Sequence, residues 1–302
     1  MRSALFIKID THSEFPYTSA LKMIRLIGFH TKEGAMSEDR PSDWKNYDDF
    51  SAGIDTNRLP STDRLTGSEY RISLKDETDM IFRFIDGETF EWTCSAGPNA
   101  GASGKDWYEA IDVAENVIFV DTLYQSRPRE ATTIMINDRT RRVLAIVSTV
   151  AEEKVPGEPQ VGQQFLTGVL GDPKVPPTGP EPGPTRDLIG LRALYRYSPQ
   201  HLYEHIYLNS ERYGWQCLVG VQRGHGDMDM STTYKYDEDQ YIFTFREFKI
   251  PVASVFFYNM KQMRSTGKFL GITSTGAIEN NQAGAFIQKA SMTFYPNDAQ
   301  PI

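Results

Sequence analysis

Cysteine is nearly missing from this chain: two among 302 residues, too few for a disulfide framework and in keeping with a reducing compartment. Basic charge is in deficit, 32 Lys and Arg against 40 Asp and Glu, for a formal net charge of −8. That balance excludes the clustered cations of a nucleic-acid surface, so no nucleic-acid partner is expected. No apolar run approaches the ~20 residues a membrane-spanning helix needs. A basic start, an apolar stretch and a small-residue cleavage site are also lacking at the N-terminus, so a cytoplasmic location is expected.

The usual catalytic signatures are absent as well. No G-x-S-x-G elbow and no dinucleotide fingerprint occurs. The glycine-rich stretch from Gly97 to Lys105 lacks the first glycine of a phosphate loop and has Asp106 where Ser or Thr is required. His201 and His205, four apart on a strand, lie ~13 Å from each other, too far to share one ion. His225-Gly226-Asp227-Met228-Asp229 reads as a polar turn. Neither metal nor cofactor is expected.

What is present is a duplication. Leu65-Thr66-Gly67 leads to Trp92-Thr93-Cys94, and Leu188-Ile189-Gly190 leads to Trp215-Gln216-Cys217, at a constant offset of 123 residues. Asp86-Gly87 and Asn209-Ser210 stand at equivalent hairpin-turn positions. Ile118-Phe119 faces Ile242-Phe243, Asn137 faces Asn259, Arg142 faces Arg264 and Gly162 faces Gly284. The internal period is two, as in Tyr70, Ile72 and Leu74 or in Phe90, Trp92 and Cys94, which predicts strands with one face in a core. About 105 residues per copy suit a barrel of roughly eight strands. The expected organisation is a non-repeating leader at 1–40, a first barrel at 41–170, a Pro-rich linker at 171–187 and a second barrel at 188–302. The linker leaves room for the copies, or two chains in a homodimer, to pack face to face.

The two interiors differ. The first places Ile72, Leu74, Met80, Phe82 and Phe84 inward and reads as packed hydrocarbon. At matching positions the second has Tyr195, Tyr197, Tyr203, His205 and Tyr207, followed by Tyr213, Trp215 and Cys217. Buried hydroxyls and imidazole need partners, since an unsatisfied one costs ~1–3 kcal/mol, and a ligand is one way to meet them. Tyr234, Phe243, Glu247 and Lys249 on the later strands, with Arg223, Arg264 and Lys268, are the remaining candidates for pocket or rim.

His201-Leu-Tyr-Glu-His205, Tyr213-Gly-Trp215-Gln-Cys217, Tyr234-Lys235 and Arg264-Ser-Thr-Gly-Lys268 resemble the C-terminal half of the molybdenum cofactor biosynthesis protein F (MoaF) family. Asp55-Thr-Asn57-Arg-Leu-Pro60 resembles its N-terminal half, and the resemblance spans roughly residues 44–296. It implies an all-β protein of two tandem lipocalin-like (calycin) antiparallel barrels.

The expected function is a cofactor-independent enzyme acting on a hydrophobic or aromatic, oxygen-bearing small molecule by cyclisation or cycloaddition, as a pericyclase. Such a reaction needs orientation and donors aimed at an oxygen, which Tyr, His and Lys in an aromatic cavity supply. His205, Tyr207, Lys249 and Lys268 are the candidate catalytic groups. Tyr195, Tyr197, Tyr203, Tyr213, Trp215, Arg223, Tyr234, Phe243, Glu247 and Arg264 are the candidate substrate contacts. A non-catalytic carrier, or an isomerase or lyase with His205 as general base and a pH–rate limb near ~6.5, are the alternatives.

Overall fold

A computed structural model describes residues 43–302, so the expected leader lies outside the described residues. After one short helix, α1 (Tyr47–Ser51), the described chain is strand and turn. β1 (Glu69–Leu74), β2 (Asp79–Phe84), β3 (Thr89–Ala96), β4 (Ser103–Ala114), β5 (Val117–Leu123), β6 (Glu130–Asn137), β7 (Arg142–Val150) and β8 (Val161–Leu170) pair antiparallel in order. β1 then pairs with β8, Ile72 opposite Leu170, and the barrel closes.

The Pro-rich connector contributes only a two-residue bridge, β9 (Gly183–Pro184), against Tyr234 and Lys235. The second barrel follows as β10 (Leu191–Ser198), β11 (His201–Tyr207), β12 (Arg212–Val219), β13 (Gly226–Asp237), β14 (Gln240–Arg246), β15 (Val252–Asn259), β16 (Arg264–Ile272) and β17 (Ile278–Met292). It closes through β10–β17 and β12–β13.

The copies share their irregularities as well as their strands. The β2–β3 register shifts at Asp79/Met80, and the β11–β12 register shifts at Leu202/Tyr203. The β4–β5 and β13–β14 pairs shift at Asp112/Ala114 and Lys235/Asp237. Asp86 accepts from the N–H groups of Glu88 and Thr89 at 2.9 and 2.7 Å, and Asn209 accepts likewise from Glu211 and Arg212 at 2.9 and 2.8 Å. A side-chain acceptor two residues before the backbone donor is what stabilises such a turn.

Two of the sequence matches are displaced. Ile118 lies in the first core whereas Ile242 faces away from the second, because Ile118 corresponds to Tyr241 and Phe119 to Ile242. A one-residue slip turns every side chain to the other face. On the last strand Ile72 pairs with Leu170 and Tyr195 with Ile287, so Gly162 and Gly284 are not equivalent either. Gly284 has its own reason to be glycine: a Cβ there would meet Cα of Arg58 at 2.4 Å.

The barrels join through their outer faces. Ile111, Val113, Phe119, Met135 and Ile146 of the first pack with Tyr236, Ile242, Val255 and Phe257 of the second. β5, β6, β15 and β16 are therefore buried on both sides. The segment before β1 does not stay with the first barrel, where the sequence places it. Trp44, Tyr47, Phe50 and Ile54 join the second core. Tyr47 Oη donates to the Phe269 carbonyl at 3.0 Å, Asp48 accepts from Ser274 N and Oγ at 2.7 and 2.6 Å, and Asn57 Nδ2 donates to the Arg196 carbonyl at 3.0 Å. The first interior also departs from packed hydrocarbon, since it holds a cavity of about 170 Å³.

Candidate functional site

The second interior is aromatic as the alternation implies. Tyr195 and Tyr197 on β10, Tyr203, His205 and Tyr207 on β11, Tyr213 and Trp215 on β12, and Phe243 on β14 are all buried inside it. Phe245, Tyr258 and Phe269 complete the walls.

At one end, hydroxyls satisfy each other. Tyr195 Oη and Tyr207 Oη lie 2.6 Å apart, and Tyr207 Oη donates to Tyr258 Oη at 3.1 Å. Burial drives all three phenols well above their ordinary range, so they act as neutral donors and acceptors.

Towards the other end lies a cavity of about 30 Å³ lined by Tyr197, Tyr203, His205, Tyr213, Trp215, Gln222, Phe245, Glu247 and Phe269. Phe50 and Ile54 of the α1 segment close it. The space suits a water or two, because one needs only ~10–15 Å³.

Three titratable groups define the chemistry here. His205 stacks on Tyr195 with ring centroids 4.3 Å apart, and its buried Nδ1 has no hydrogen-bond partner. Burial lowers its pKa to about 3, with Glu204 opposing weakly, so the imidazole is neutral and a poor general base near pH 7. An imidazole held neutral in this way would not give the limb near ~6.5 expected of a His-based isomerase. Burial first, then repulsion from Asp229 and Asp227, raises the Glu247 carboxyl well above the usual range, which favours its protonated form. Asp229 accepts from Trp215 Nε1 at 2.8 Å and from the Phe248 N–H at 3.0 Å; burial nonetheless raises its pKa to about 6. Tyr203 Oη donates to Gln222 Oε1 at 2.8 Å.

Lys249 sits at the rim, paired with Asp227 at 2.8 Å and 4.2 Å over the Trp44 ring. The other cationic candidates are elsewhere. Arg223 is exposed on the turn after β12. Arg264 donates to the Asn57 carbonyl at 2.7 Å and lies over the exposed Phe286 ring, outside the barrel. Lys268 pairs with Val255, an outward residue of β15, and therefore points into the junction, where it forms a buried ion pair with Asp121. Tyr234 pairs with outward Ile242 and stacks on Phe165 of the first barrel at 4.8 Å. Arg223 lies past the end of its strand; the other three share a cause, since which strand face points inward is set by pairing register, and bulges reset it.

Asp229, Gln222, Phe50 and Ile54 were missed by sequence reasoning. Asp229 had a signal, because Asp106 stands 123 residues earlier and holds Trp92 Nε1 at 2.7 Å. Among the described residues no group of three or more His, Cys, Asp or Glu side chains is placed to hold a metal ion. No helix among them is long and apolar enough to cross a membrane.

Comparison with known proteins gives the same two halves. Residues 42–152 match the MoaF N-terminal domain and residues 182–293 the MoaF C-terminal domain. The chain is 32% identical over 218 residues to Protein MoaF of Klebsiella aerogenes, covering 69% of this chain and 79% of that protein. A crystal structure described as a putative beta-lactamase from Burkholderia vietnamiensis aligns at 16% identity and a TM-score of 0.30, covering 38% of this chain and 97% of its own. By its two domains and this relative, the chain belongs to the MoaF family.

Proposed function

We propose that this MoaF-family chain is a cofactor-independent enzyme that takes a hydrophobic, oxygen-bearing small molecule into its second barrel and closes a ring in it, by a cyclisation or hetero-Diels–Alder-type cycloaddition. The observation that carries this reading is that Glu247 and His205, both buried, face one aromatic-walled cavity, where burial favours the neutral form of each. A carboxylic acid kept neutral can donate a hydrogen bond to a substrate carbonyl or quinone-methide oxygen as charge develops there. Tyr197, Tyr213, Trp215 and Phe245 supply flat walls that hold the reacting carbons together, and orientation of this kind is worth up to ~7–11 kcal/mol. In the concerted reaction two σ bonds form from π electrons already in the substrate, and no proton has to leave.

Phe50 and Ile54 withdraw to admit the substrate, since a ligand pocket needs ~300 Å³ or more. Lys249 stays at the mouth and is not part of the reacting centre.

The test is incubation of the full chain with an ortho-quinone methide generated in situ and tethered to an electron-rich alkene in the same molecule, read by chiral chromatography and native mass spectrometry. One enantiomer in excess, lost in Glu247→Met, supports the enzyme. A racemic product at the background rate rejects it for this substrate class. A compound retained and returned unchanged makes the protein a carrier.

A further inference from the structure

The mouth that α1 closes in the second barrel has a counterpart in the first, and among the described residues no helix fills it. Leu74, Met80, Asn99, Tyr124 and Val147 line the first cavity where Tyr197, Tyr203, Gln222, Glu247 and Phe269 line the second. Four of these five side chains are smaller in the first barrel, Tyr124 being the exception, and the cavity there is about 170 Å³. A dry apolar cavity of ~150 Å³ is enough to bind benzene.

The wall is mixed: Ile72, Phe82, Ile134 and Leu166 form an apolar side, and Asp76, Asn99, Arg127, Glu130 and Gln164 bring polar groups to it. Arg127 lies over the Tyr124 ring at 4.2 Å and within 5.6 Å of the Trp92 ring, which holds its guanidinium in place. Among the described residues its anionic partner is Glu130, 3.3 Å from Nη1. Nε is buried with no hydrogen-bond partner, and Nη2 makes no hydrogen bond among the described residues. The unused Nε–Nη2 edge is the fork that a carboxylate grips with two parallel bonds. Burial pushes the Glu130 carboxyl up and the Arg127 charge pulls it back. Asp76 also lines the cavity, with one oxygen taken by the Thr78 N–H at 3.0 Å.

From this geometry we infer that the first barrel is a second ligand site, taking a small aromatic carboxylic acid whose ring fills the space among Ile72, Phe82, Ile134 and Leu166 and whose carboxylate meets the Nε–Nη2 edge of Arg127. The site is independent of the chemistry proposed for the second barrel. It makes the protein two-chambered.

Benzoate is the probe. Full-length protein carrying 13C-methyl methionine reports each barrel separately, through Met80 in the first cavity and Met260 in the second core. Benzoate is expected to shift the Met80 signal saturably while Met260 stays in place. Benzamide, the same ring without the charge, should bind at least tenfold more weakly, and Arg127→Gln should weaken benzoate at least tenfold. Absence of any Met80 shift at the solubility limit, equal affinity in Arg127→Gln, or a shift confined to Met260 overturns the proposal. Should Arg127→Gln not fold, Ala145→Leu fills the cavity and leaves the guanidinium intact; undiminished benzoate binding by that variant also overturns it.

Discussion

The Trp215 indole nitrogen donates to the Asp229 carboxylate across 2.8 Å inside the second barrel. The first barrel repeats the bond between Trp92 and Asp106 at 2.7 Å, and in each case the other carboxylate oxygen takes a backbone N–H, from Phe248 or Gln125. The environments differ in charge. Asp229 shares its surroundings with Asp227, and burial raises its pKa from 3.8 to about 6. The native state therefore holds a proton there that the unfolded chain has released, and stability contributed by this group is present below pH ~4 and lost as pH rises through ~6. On the order of 2–3 kcal/mol is at stake. Asp229→Asn should remove this slope: urea unfolding of wild type and variant at pH 4 and pH 7 should show wild type losing that much relative to the variant.

His205 runs the other way. Its folded pKa of about 3 lies below the ordinary 6.5, so the unfolded chain takes up a proton that the native state refuses. Stability from this group is present above pH ~6.5 and falls as acid is added. The first copy has Phe82 at this position, and it packs well. His205→Phe should match wild type within about 1.5 kcal/mol at pH 8. At pH 4 it should exceed wild type by on the order of 3 kcal/mol. Titration of the His205 Cε1 proton by NMR checks the cause, since a midpoint near 6.5 would contradict it.

The tyrosines and histidine of β10–β12 were legible from sequence because each lies on a half-buried strand, where alternation names the inward face. Trp92-Thr93-Cys94 and Trp215-Gln216-Cys217 tied the faces of the two copies together. Lys268 and Tyr234 were not legible. Their strands contribute to the junction as well as the barrel, so both faces are buried or partly so and alternation carries no sign. The α1 plug was unreadable for another reason: five helical residues state an apolar face but not which of two barrels it covers. Asp229 was within reach, but only by comparing it with Asp106 instead of reading its own turn.

Phe50 lines the second cavity and packs in the second core. Phe50→Ala should cost about 3–5 kcal/mol, as for other buried Phe truncations, and open the mouth. Cys217 lies in the same core cluster as Phe50, while Cys94 lies in the first. The rate of thiol labelling therefore reads each mouth separately. Cys217 should label at least tenfold faster in the variant, with Cys94 unchanged. Equal acceleration at both thiols would mean global loosening and not the withdrawal of a plug.

Lys268 binds the two barrels to each other. Its ammonium meets Asp121, which also accepts from Thr133 Oγ1 at 3.1 Å and from Asn280 Nδ2 at 2.6 Å; Lys268, Asp121 and Thr133 are buried and Asn280 is half-buried. Desolvation of the ion pair is costly, and removing one member leaves the other charged and buried. Lys268→Met should destabilise by about 3–5 kcal/mol. Adding Asp121→Asn to it should restore much of that, because the stranded charge goes and the amide can still bond to Thr133 and Asn280. A catalytic lysine would behave differently: the double variant would regain stability without regaining turnover. Turnover per folded molecule equal to wild type in the double variant would place Lys268 wholly in the architecture, where its outward face on β16 puts it.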